Sequence, residues 1–356
     1  MEIEKYIAKM QAIQKALLAY IEAEDPVGSH YANLIKVLDD FQVRENKHDL
    51  NILLHIIISI FKHHYRNPDF FPKIFGFLKN LSKEIKTFFS NYTIFNIFKG
   101  NKRILLFLIE EQILLIDKTI VSIFQSPKYN SREYPYYFQF EMRPFINQYY
   151  FAELNNGIPE EFDICRRNGK GFFTICEHII KDNLKEFISY TNKNDIFINC
   201  NLNIPYCESN NFLNKYNSTV MEYSFFFGST NIIEYLLKQG IKLTPSLWIY
   251  AIHGNKMNLI HFLEEKKIEP EKNEYNDFLK QSMKCHHNDI ARYIKEKCSI
   301  NEKCIFINSF KYYNFDFMQK DLLNGLSFYY ACKYDYYSIV ISLIDEKEAV
   351  LNKIVI

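Results

Sequence analysis

The sequence predicts an all-α protein in which an N-terminal helical domain precedes a domain of helical repeats. Apolar residues recur at spacings of three and four along most of the chain. Glycine and proline number only ten each in 356 residues, and one two-helix pattern recurs in the second half. The predicted organisation is an N-terminal helical domain at 1–125, an aromatic, proline-containing connector at 126–165 and a repeat domain at 166–356.

Charge and hydropathy exclude several classes of protein. Lys+Arg 43 against Asp+Glu 42 leaves a formal charge of +1, which disfavours both a nucleic-acid-binding surface and an acidic disordered chain. The longest uncharged apolar run, Leu50 to Phe61, has 12 residues, whereas a membrane span needs about 20. The acidic N-terminus does not resemble a secretory signal. We therefore expect no membrane insertion and a cytoplasmic location.

The N-terminal domain is predicted to be a series of helices with few turn-forming residues between them. Residues 2–24 place their apolar side chains on one stripe, which is typical of an amphipathic helix. Residues 47–64 are apolar on most sides, which predicts a buried helix. Helical patterns continue over 70–89 and 100–124. The connector that follows carries four of the ten prolines and many aromatic rings, so we expect it to be ordered and packed across the domain junction.

The copies of the repeat can be aligned with one another at two positions of a helix pair. The first helix holds a small residue, and a residue suited to ending a helix follows four positions later. The small residues are Ser224, Ala251, Ser282 and Ala331, and the ending residues are Gly228, Asn255, His286 and Asp335. A degenerate unit with Ser309, Phe310, Phe317 and Met318 would fill the longest interval, and a capping unit is predicted to begin near Phe173. Because one helix pair cannot bury its apolar face alone, we expect neighbouring pairs to stack.

The run from Glu222 to Gly240 resembles an ankyrin repeat. The whole chain is similar to divergent ankyrin-repeat proteins from the expanded families of parasitic protists with AT-rich genomes, which carry a helical N-terminal region. The similar segments are Glu45–Leu50, Ile94–Glu111 and Leu243–Asn255. The resemblance implies an ankyrin-like helical-repeat solenoid that binds protein on a concave surface formed by the first helices. The Thr-Pro-Leu-His turn of ankyrin repeats is absent, and the pitch is uneven.

Candidate binding residues follow from this implied concave surface. In each first helix, the position before the small residue and the position two after it are expected to point outward. Three of the four leading positions are tyrosine, a residue enriched in binding hot spots. The candidate protein-binding residues are Tyr223, Phe226, Tyr250, His253, Gln281, Lys284, Tyr330 and Lys333.

No motif in the sequence predicts a catalytic, cofactor or metal site. Glycine-rich phosphate loops are absent. The adjacent histidines His63–His64 and His286–His287 point about 100° apart on a helix, so neither pair can ligate one metal. His286 instead falls at a helix end in the repeat register. The eight cysteines lie mostly at apolar positions without C-x-x-C pairs, which predicts free, structural thiols.

The sequence therefore favours a non-enzymatic protein–protein interaction scaffold or adaptor that binds an unidentified protein partner and no small-molecule substrate. One alternative is a fixed structural subunit of a larger assembly. Another is a helical-repeat nucleic-acid binder, which the near-neutral charge disfavours.

Overall fold

Helices, turns and loops make up the described part of the chain, with one isolated antiparallel bridge between Asn201 and Thr219. The computed structural model describes residues 2–23, 28–64, 69–126, 133–168, 174–202, 210, 212–213, 217–297, 302–318 and 325–354. The predicted all-α class is confirmed over these residues.

The described residues of the N-terminal part form eight α-helices, of which the one at 91–98 was not predicted because it lies between the predicted segments 70–89 and 100–124. They are α1 Glu2–Glu22, α2 Ser29–Asp40, α3 Lys47–His63, α4 Phe70–Asn80, α5 Ser82–Phe88, α6 Asn91–Phe98, α7 Lys102–Glu110 and α8 Lys118–Phe124. Helix α3 begins after Asn46, whose side chain accepts hydrogen bonds from the backbone N–H groups of His48 and Asp49. Nearly all of α3 is buried, as its apolar composition predicts.

Residues 133–165 of the predicted connector pack on the N-terminal helices, and the last helix of this segment runs on to Asn168. The helices of this segment are α9 Glu133–Tyr137, α10 Gln139–Met142, α11 Gln148–Asn155 and α12 Phe162–Asn168. Phe138 and Met142 are fully buried in the same core as the N-terminal helices. Arg166 of α12 is buried and binds Glu141 of α10 through two hydrogen bonds of 2.8 Å, so the contact crosses the predicted boundary between the connector and the repeat domain.

In the second half of the chain, the described residues form six helical hairpins. Hairpin 1 is α13 Thr174–Ile180 with α14 Leu184–Lys193, hairpin 2 is α15 Val220–Phe227 with α16 Thr230–Lys238, and hairpin 3 is α17 Leu247–His253 with α18 Met257–Glu265. Hairpin 4 is α19 Tyr275–Lys284 with α20 Asn288–Lys297, hairpin 5 is α21 Glu302–Lys311 with the 3-10 turn Phe315–Phe317, and hairpin 6 is α22 Gly325–Lys333 with α23 Tyr337–Ile354.

Each hairpin turns through one residue with positive φ. Four of these residues were predicted to end a helix, whereas Asp182 and Tyr313 were not predicted. The turn residues are Asp182 (φ 48°), Gly228 (φ 75°), Asn255 (φ 56°), His286 (φ 58°), Tyr313 (φ 53°) and Asp335 (φ 59°). The next residue donates its backbone N–H, over 2.9–3.0 Å, to the carbonyl five positions earlier. In hairpins 2 to 6 that carbonyl belongs to the small buried residue, including Ser309 of the degenerate unit. The predicted register is therefore confirmed at these turns.

The first helix of each hairpin packs on the first helix of the next, from α13 to α22. Hairpins 2 and 3 approach so closely that a Cβ at Gly254 would lie 1.9 Å from the carbonyl oxygen of Phe226. Ser224, Ala251 and Ser282 are fully buried in this packing, which shows why small residues recur there. The hairpins thus contact one another in chain order through their first helices.

One hydrophobic core joins the N-terminal helices to hairpins 5 and 6. It holds side chains from Ile3 to Met142 together with Phe306, Phe310 and Tyr336. A second hydrophobic core is formed by side chains from residues 175–305 and by Phe317. The predicted domain boundaries stay a prediction, but the packing crosses them, because the last two hairpins share their core with the N-terminal helices.

Helix α3 lies along the row of hairpin turns and contacts them with polar side chains four residues apart. The amide of Asn51 donates to the carboxylate of Asp335 over 2.8 Å. The ring of His55 stacks on Tyr313, with centroids 4.8 Å apart. Ser59 donates to the Tyr312 carbonyl over 2.9 Å, and its hydroxyl lies 3.3 Å from Nε2 of His286 at the turn of hairpin 4. A polar stripe on an otherwise apolar helix thus docks on three successive turns, in antiparallel order.

Candidate functional site

The first helices do not expose all of the predicted binding residues. Tyr223 and Phe226 are each 2% exposed, Tyr250 is 5% exposed and His253 is 1% exposed. The prediction that these four side chains point outward is wrong. In this conformation they offer no surface to a partner.

The chain itself covers this part of the face. The ring of Phe212 stacks on His253 with centroids 3.8 Å apart, and it lies 4.9 Å from Tyr250 and 6.3 Å from Phe226. Leu213 is also buried in the same core. Sequence register could not reveal this, because Phe212 lies outside the repeat pattern and reaches the first helices only through the fold.

The other four predicted residues lie at the surface of hairpins 4 and 6. Gln281, Lys284 and Tyr330 are half-buried, and Lys333 is exposed. Hairpin 5 contributes Lys311, which is exposed and stands two positions after the small residue Ser309. Lys311 was missed, although the same offset applied to the degenerate unit would have found it.

Three successive hairpins therefore carry lysine at one equivalent position, two residues before the left-handed turn residue. We call Lys284, Lys311 and Lys333 the lysine column. The corresponding positions of hairpins 2 and 3 hold Phe226 and His253, which Phe212 covers. This position thus changes from a buried aromatic ring in hairpins 2 and 3 to a lysine that is half-buried in hairpin 4 and exposed in hairpins 5 and 6.

Tyrosine rings surround the exposed lysines. The ammonium of Lys333 lies 5.5 Å, 5.9 Å and 5.6 Å from the ring centroids of Tyr329, Tyr330 and Tyr334. That of Lys311 lies 5.3 Å from the Tyr312 ring. Burial, and to a smaller extent Tyr334, raises the pKa of Tyr312 to about 12, so its hydroxyl stays protonated at neutral pH. This surface is aromatic and cationic, with hydroxyl donors at its edge.

A second cluster lies where α3 meets the turns of hairpins 3 and 4. We call His55, His63, His64, His253, His286 and His287, six of the ten histidines, the histidine junction. Nδ1 of His64 donates to the Cys285 carbonyl over 2.8 Å, and Nδ1 of His287 donates to the Ile252 carbonyl over 2.7 Å. The rings of His64 and His287 lie 4.6 Å apart. The junction thus ties the end of α3 to hairpin 4, and hairpin 4 to hairpin 3.

Burial keeps most of these imidazoles neutral. It lowers the pKa of His253 and of His286 to about 3, and that of His55 to about 4. Burial also places the pKa of His63 and of His287 well below the usual value, and neighbouring cationic groups add to the effect. The described residues contain no group of three or more His, Cys, Asp or Glu side chains arranged to hold a metal ion.

The six described cysteines are free thiols, as predicted, and Cys207 and Cys298 lie outside the described residues. Cys285 is fully buried 3.3 Å from Nδ1 of His253. Burial raises the pKa of the Cys285 thiol to about 12. Despite its histidine neighbour, this thiol is neither ionised nor accessible, which is the condition of a structural cysteine.

A polar cleft of about 360 Å³ lies between α1 and the turns of hairpins 3 and 4. Lys15, Glu22 and His286 are among its lining residues. Arg292, also in the lining, pairs with Asp289 over 2.8 Å and with Asp316. The charged residues that line the cleft are of both signs and partly neutralise one another. The cleft therefore shows no preference for an anion or a cation.

Among the described helices, none is long and apolar enough to cross a membrane. No known protein family, curated protein or solved structure matches this chain.

Proposed function

We propose that this chain is a non-enzymatic protein–protein interaction scaffold, built as an ankyrin-like helical-repeat solenoid. The observation that carries the proposal is the shared register of hairpins 2 to 6. Each has a small buried residue in its first helix and a left-handed residue four positions later, and successive first helices pack together. Stacked units of this kind make an extended surface suited to binding another chain.

The binding surface is the exposed first-helix face of hairpins 4 to 6, which we call the open face. It contains Gln281, Lys284, Tyr330 and Lys333, which the sequence predicted, together with Lys311. Tyrosine contributes a large contact area and a hydrogen-bonding hydroxyl, and its two side-chain torsions cost little entropy to fix. The covered face of hairpins 2 and 3 is not part of the binding surface, and it stabilises the scaffold by packing in its interior.

Affinity capture with the full chain, after cross-linking in cells that express it naturally, tests this proposal. We expect at least one protein to be recovered with the parent and lost with Gln281→Ala combined with Tyr330→Ala. The matched control is Glu234→Ala with Lys238→Ala, two exposed residues on α16, which should capture the same protein as the parent. Equal recovery with both double variants would contradict binding on the open face, and recovery of no protein would contradict the scaffold function.

A further inference from the structure

Four positions of a hairpin face the hairpin that follows it in the stack, as hairpin 3 shows. Counted from the left-handed turn residue, two lie on the first helix, seven and three residues before it, and two lie on the second helix, six and nine residues after it. In hairpin 3 these positions hold Trp248, Ile252, His261 and Glu264. The ring of Trp248 stacks on Phe278 of hairpin 4, with centroids 6.1 Å apart. The ring of His261 lies 5.1 Å from that of Tyr293, whose hydroxyl donates to Glu264 over 2.7 Å.

The next two hairpins use the same positions. Arg292 of hairpin 4, six residues after the turn, forms an ion pair with Asp316 of hairpin 5. Lys295, nine residues after the turn, pairs with Glu302 of hairpin 5 over 3.2 Å. The ring of Phe310 in hairpin 5, three residues before the turn, lies 5.2 Å from an aromatic ring of hairpin 6. These positions therefore form the surface on which the following hairpin stacks.

Hairpin 6 keeps these positions more exposed than the earlier hairpins do. In hairpins 2 to 5 the two first-helix positions are at most 4% exposed. In hairpin 6 they hold Phe328, which is half-buried, and Cys332, which is exposed. The second-helix positions hold Ile341 and Ile344, each 38% exposed. We call these four side chains the end face, since they stand where a further hairpin would stack.

The end face is apolar, which is unusual for the last unit of a stack. Terminal repeats of stacked proteins carry a polar outer face, which keeps them soluble. Hairpins 3 and 4 hold only polar or charged side chains at the two second-helix positions, although another hairpin covers them. Hairpin 6 instead holds two isoleucines there, together with the phenylalanine and the cysteine of its first helix. An apolar surface at the end of a stack indicates that another apolar surface covers it.

We propose that two copies of this chain associate through their end faces, with hairpin 6 of one copy stacked on hairpin 6 of the other. Within the described chain, the equivalent positions are covered by another hairpin, so this contact continues an existing mode of packing. A second copy supplies such a hairpin, and its end face is apolar at the same positions. A two-fold arrangement buries both end faces at once and closes the assembly at two chains. The inference does not depend on the proposed scaffold function, because it needs no binding by the open face.

The mass of the full chain in solution tests the proposal. Sedimentation equilibrium over about 1–100 μM should show a reversible monomer–dimer equilibrium with a Kd below about 50 μM. Alkylation provides a second measurement, because N-ethylmaleimide should modify Cys332 at least about twofold more slowly at 100 μM chain than at 1 μM. Mass spectrometry of the peptide that contains Cys332 gives this rate, and a dimer formed through another surface would leave the rate unchanged.

Charged substitutions locate the interface. Ile341→Glu with Ile344→Glu should weaken dimerisation at least about tenfold and make the alkylation of Cys332 independent of chain concentration. Both isoleucines are 38% exposed, so the melting temperature should stay close to that of the parent. Cys332→Arg changes the first helix of the same face and should also yield monomers. The control, Leu115→Glu with Ile164→Glu, changes two residues that are 62% and 60% exposed elsewhere, and it should dimerise like the parent.

Three results would overturn the proposal. A chain that stays monomeric at about 100 μM would show that its own copies do not cover the end face, which would leave a different protein as the occupant. A dimer that survives both Ile341→Glu with Ile344→Glu and Cys332→Arg would place the interface elsewhere. Species that grow beyond two chains with concentration would indicate head-to-tail stacking instead of a closed pair.

Discussion

Single residues at the hairpin turns determine where each helix ends. Gly228 adopts a left-handed conformation without steric cost, whereas Asn255, His286 and Tyr313 hold it with a side chain. The sequence predicted Asn255 and His286 at this position because they align with Gly228. Tyr313 gave no such signal, since tyrosine is rarely left-handed, and its conformation is supported by packing against His55.

A lysine in a left-handed conformation offers a test at the residue scale. Lys267 (φ 59°) ends hairpin 3 where Gly240 (φ 85°) ends hairpin 2, and Lys267 is exposed. Lys267→Gly should raise the free energy of unfolding by roughly 0.5–1 kcal/mol, because glycine relieves the backbone strain. Lys266→Gly, with an ordinary φ of −81°, should lower it. Urea denaturation followed by the fluorescence of Trp248 measures both; equal changes would contradict the strain argument.

Close approach between hairpins 2 and 3 gives a second prediction. An alanine Cβ at Gly254 would meet the Phe226 carbonyl oxygen at 1.9 Å, and backbone atoms cannot rotate away. Gly254→Ala should therefore lower the free energy of unfolding by about 1–3 kcal/mol. Gly76→Ala in α4 meets nothing within 4 Å and should instead stabilise by about 0.5–1 kcal/mol. A stable Gly254→Ala protein would show that the two hairpins do not pack this closely.

At the scale of elements, α3 docks on the hairpin turns, and the sequence predicted only part of this arrangement. The apolar composition of α3 predicted a buried helix. Its polar positions, Asn51, His55 and Ser59, recur every four residues and are a readable signal for a polar contact. Their partners are turn residues more than 200 positions away, and no local pattern connects the two. The contact could therefore be found only from the fold.

The histidine junction predicts loss of stability in acid. Folding lowers the pKa of His253 and His286 from 6.5 to about 3, so below pH 6.5 the unfolded chain binds more protons than the folded chain. Stability is therefore complete above about pH 7 and falls as the pH drops from 6.5 towards 3, by about 1.4 kcal/mol per pH unit for each such histidine. The charged groups facing the junction are Glu22, Lys62, Asp277, Lys284 and Asp335.

Thermal melts between pH 5 and pH 8 test this prediction, with Trp248 fluorescence as the signal. His286→Asn should reduce the number of protons taken up on unfolding by about one, which makes the pH dependence of stability shallower. Asparagine fits the left-handed position, as Asn255 does, and does not titrate. His30→Asn changes an exposed histidine and should reproduce the slope of the parent. A melting temperature that stays flat from pH 7 to pH 5 would contradict a buried, neutral junction.

On the scale of the whole molecule, the N-terminal helices and the last hairpins form one packed body. Gln14 of α1 accepts from the backbone N–H of Phe315 over 2.7 Å and donates to Asn314 over 3.0 Å, both within the protein interior. The sequence predicted the all-α class and the turn positions Gly228, Asn255, His286 and Asp335 correctly. It did not predict that α1 packs on hairpin 5 or that Phe212 covers the first helices of hairpins 2 and 3. Both contacts depend on side chains outside the repeat pattern.

Such a shared interior predicts cooperative unfolding. Leu236 of hairpin 2 is fully buried, so Leu236→Ala should cost about 2–5 kcal/mol. Because the hairpins contact one another in order and dock on α3, Trp248 fluorescence and far-ultraviolet circular dichroism should report the same transition in parent and variant. An unchanged melting temperature, or two separate transitions, would contradict a single stacked body.

The central claim is that the open face of hairpins 4 to 6 binds a protein partner, and site-specific photo-cross-linking tests it most directly. Benzoylphenylalanine replaces Tyr330 on the open face in one protein and Lys238 on α16 in another, and both are irradiated in the native cell. We predict a discrete adduct with one protein from position 330, suppressed by Lys311→Glu with Lys333→Glu, and no such adduct from position 238. Identical adducts from both positions, or an adduct from position 238 alone, would contradict the claim.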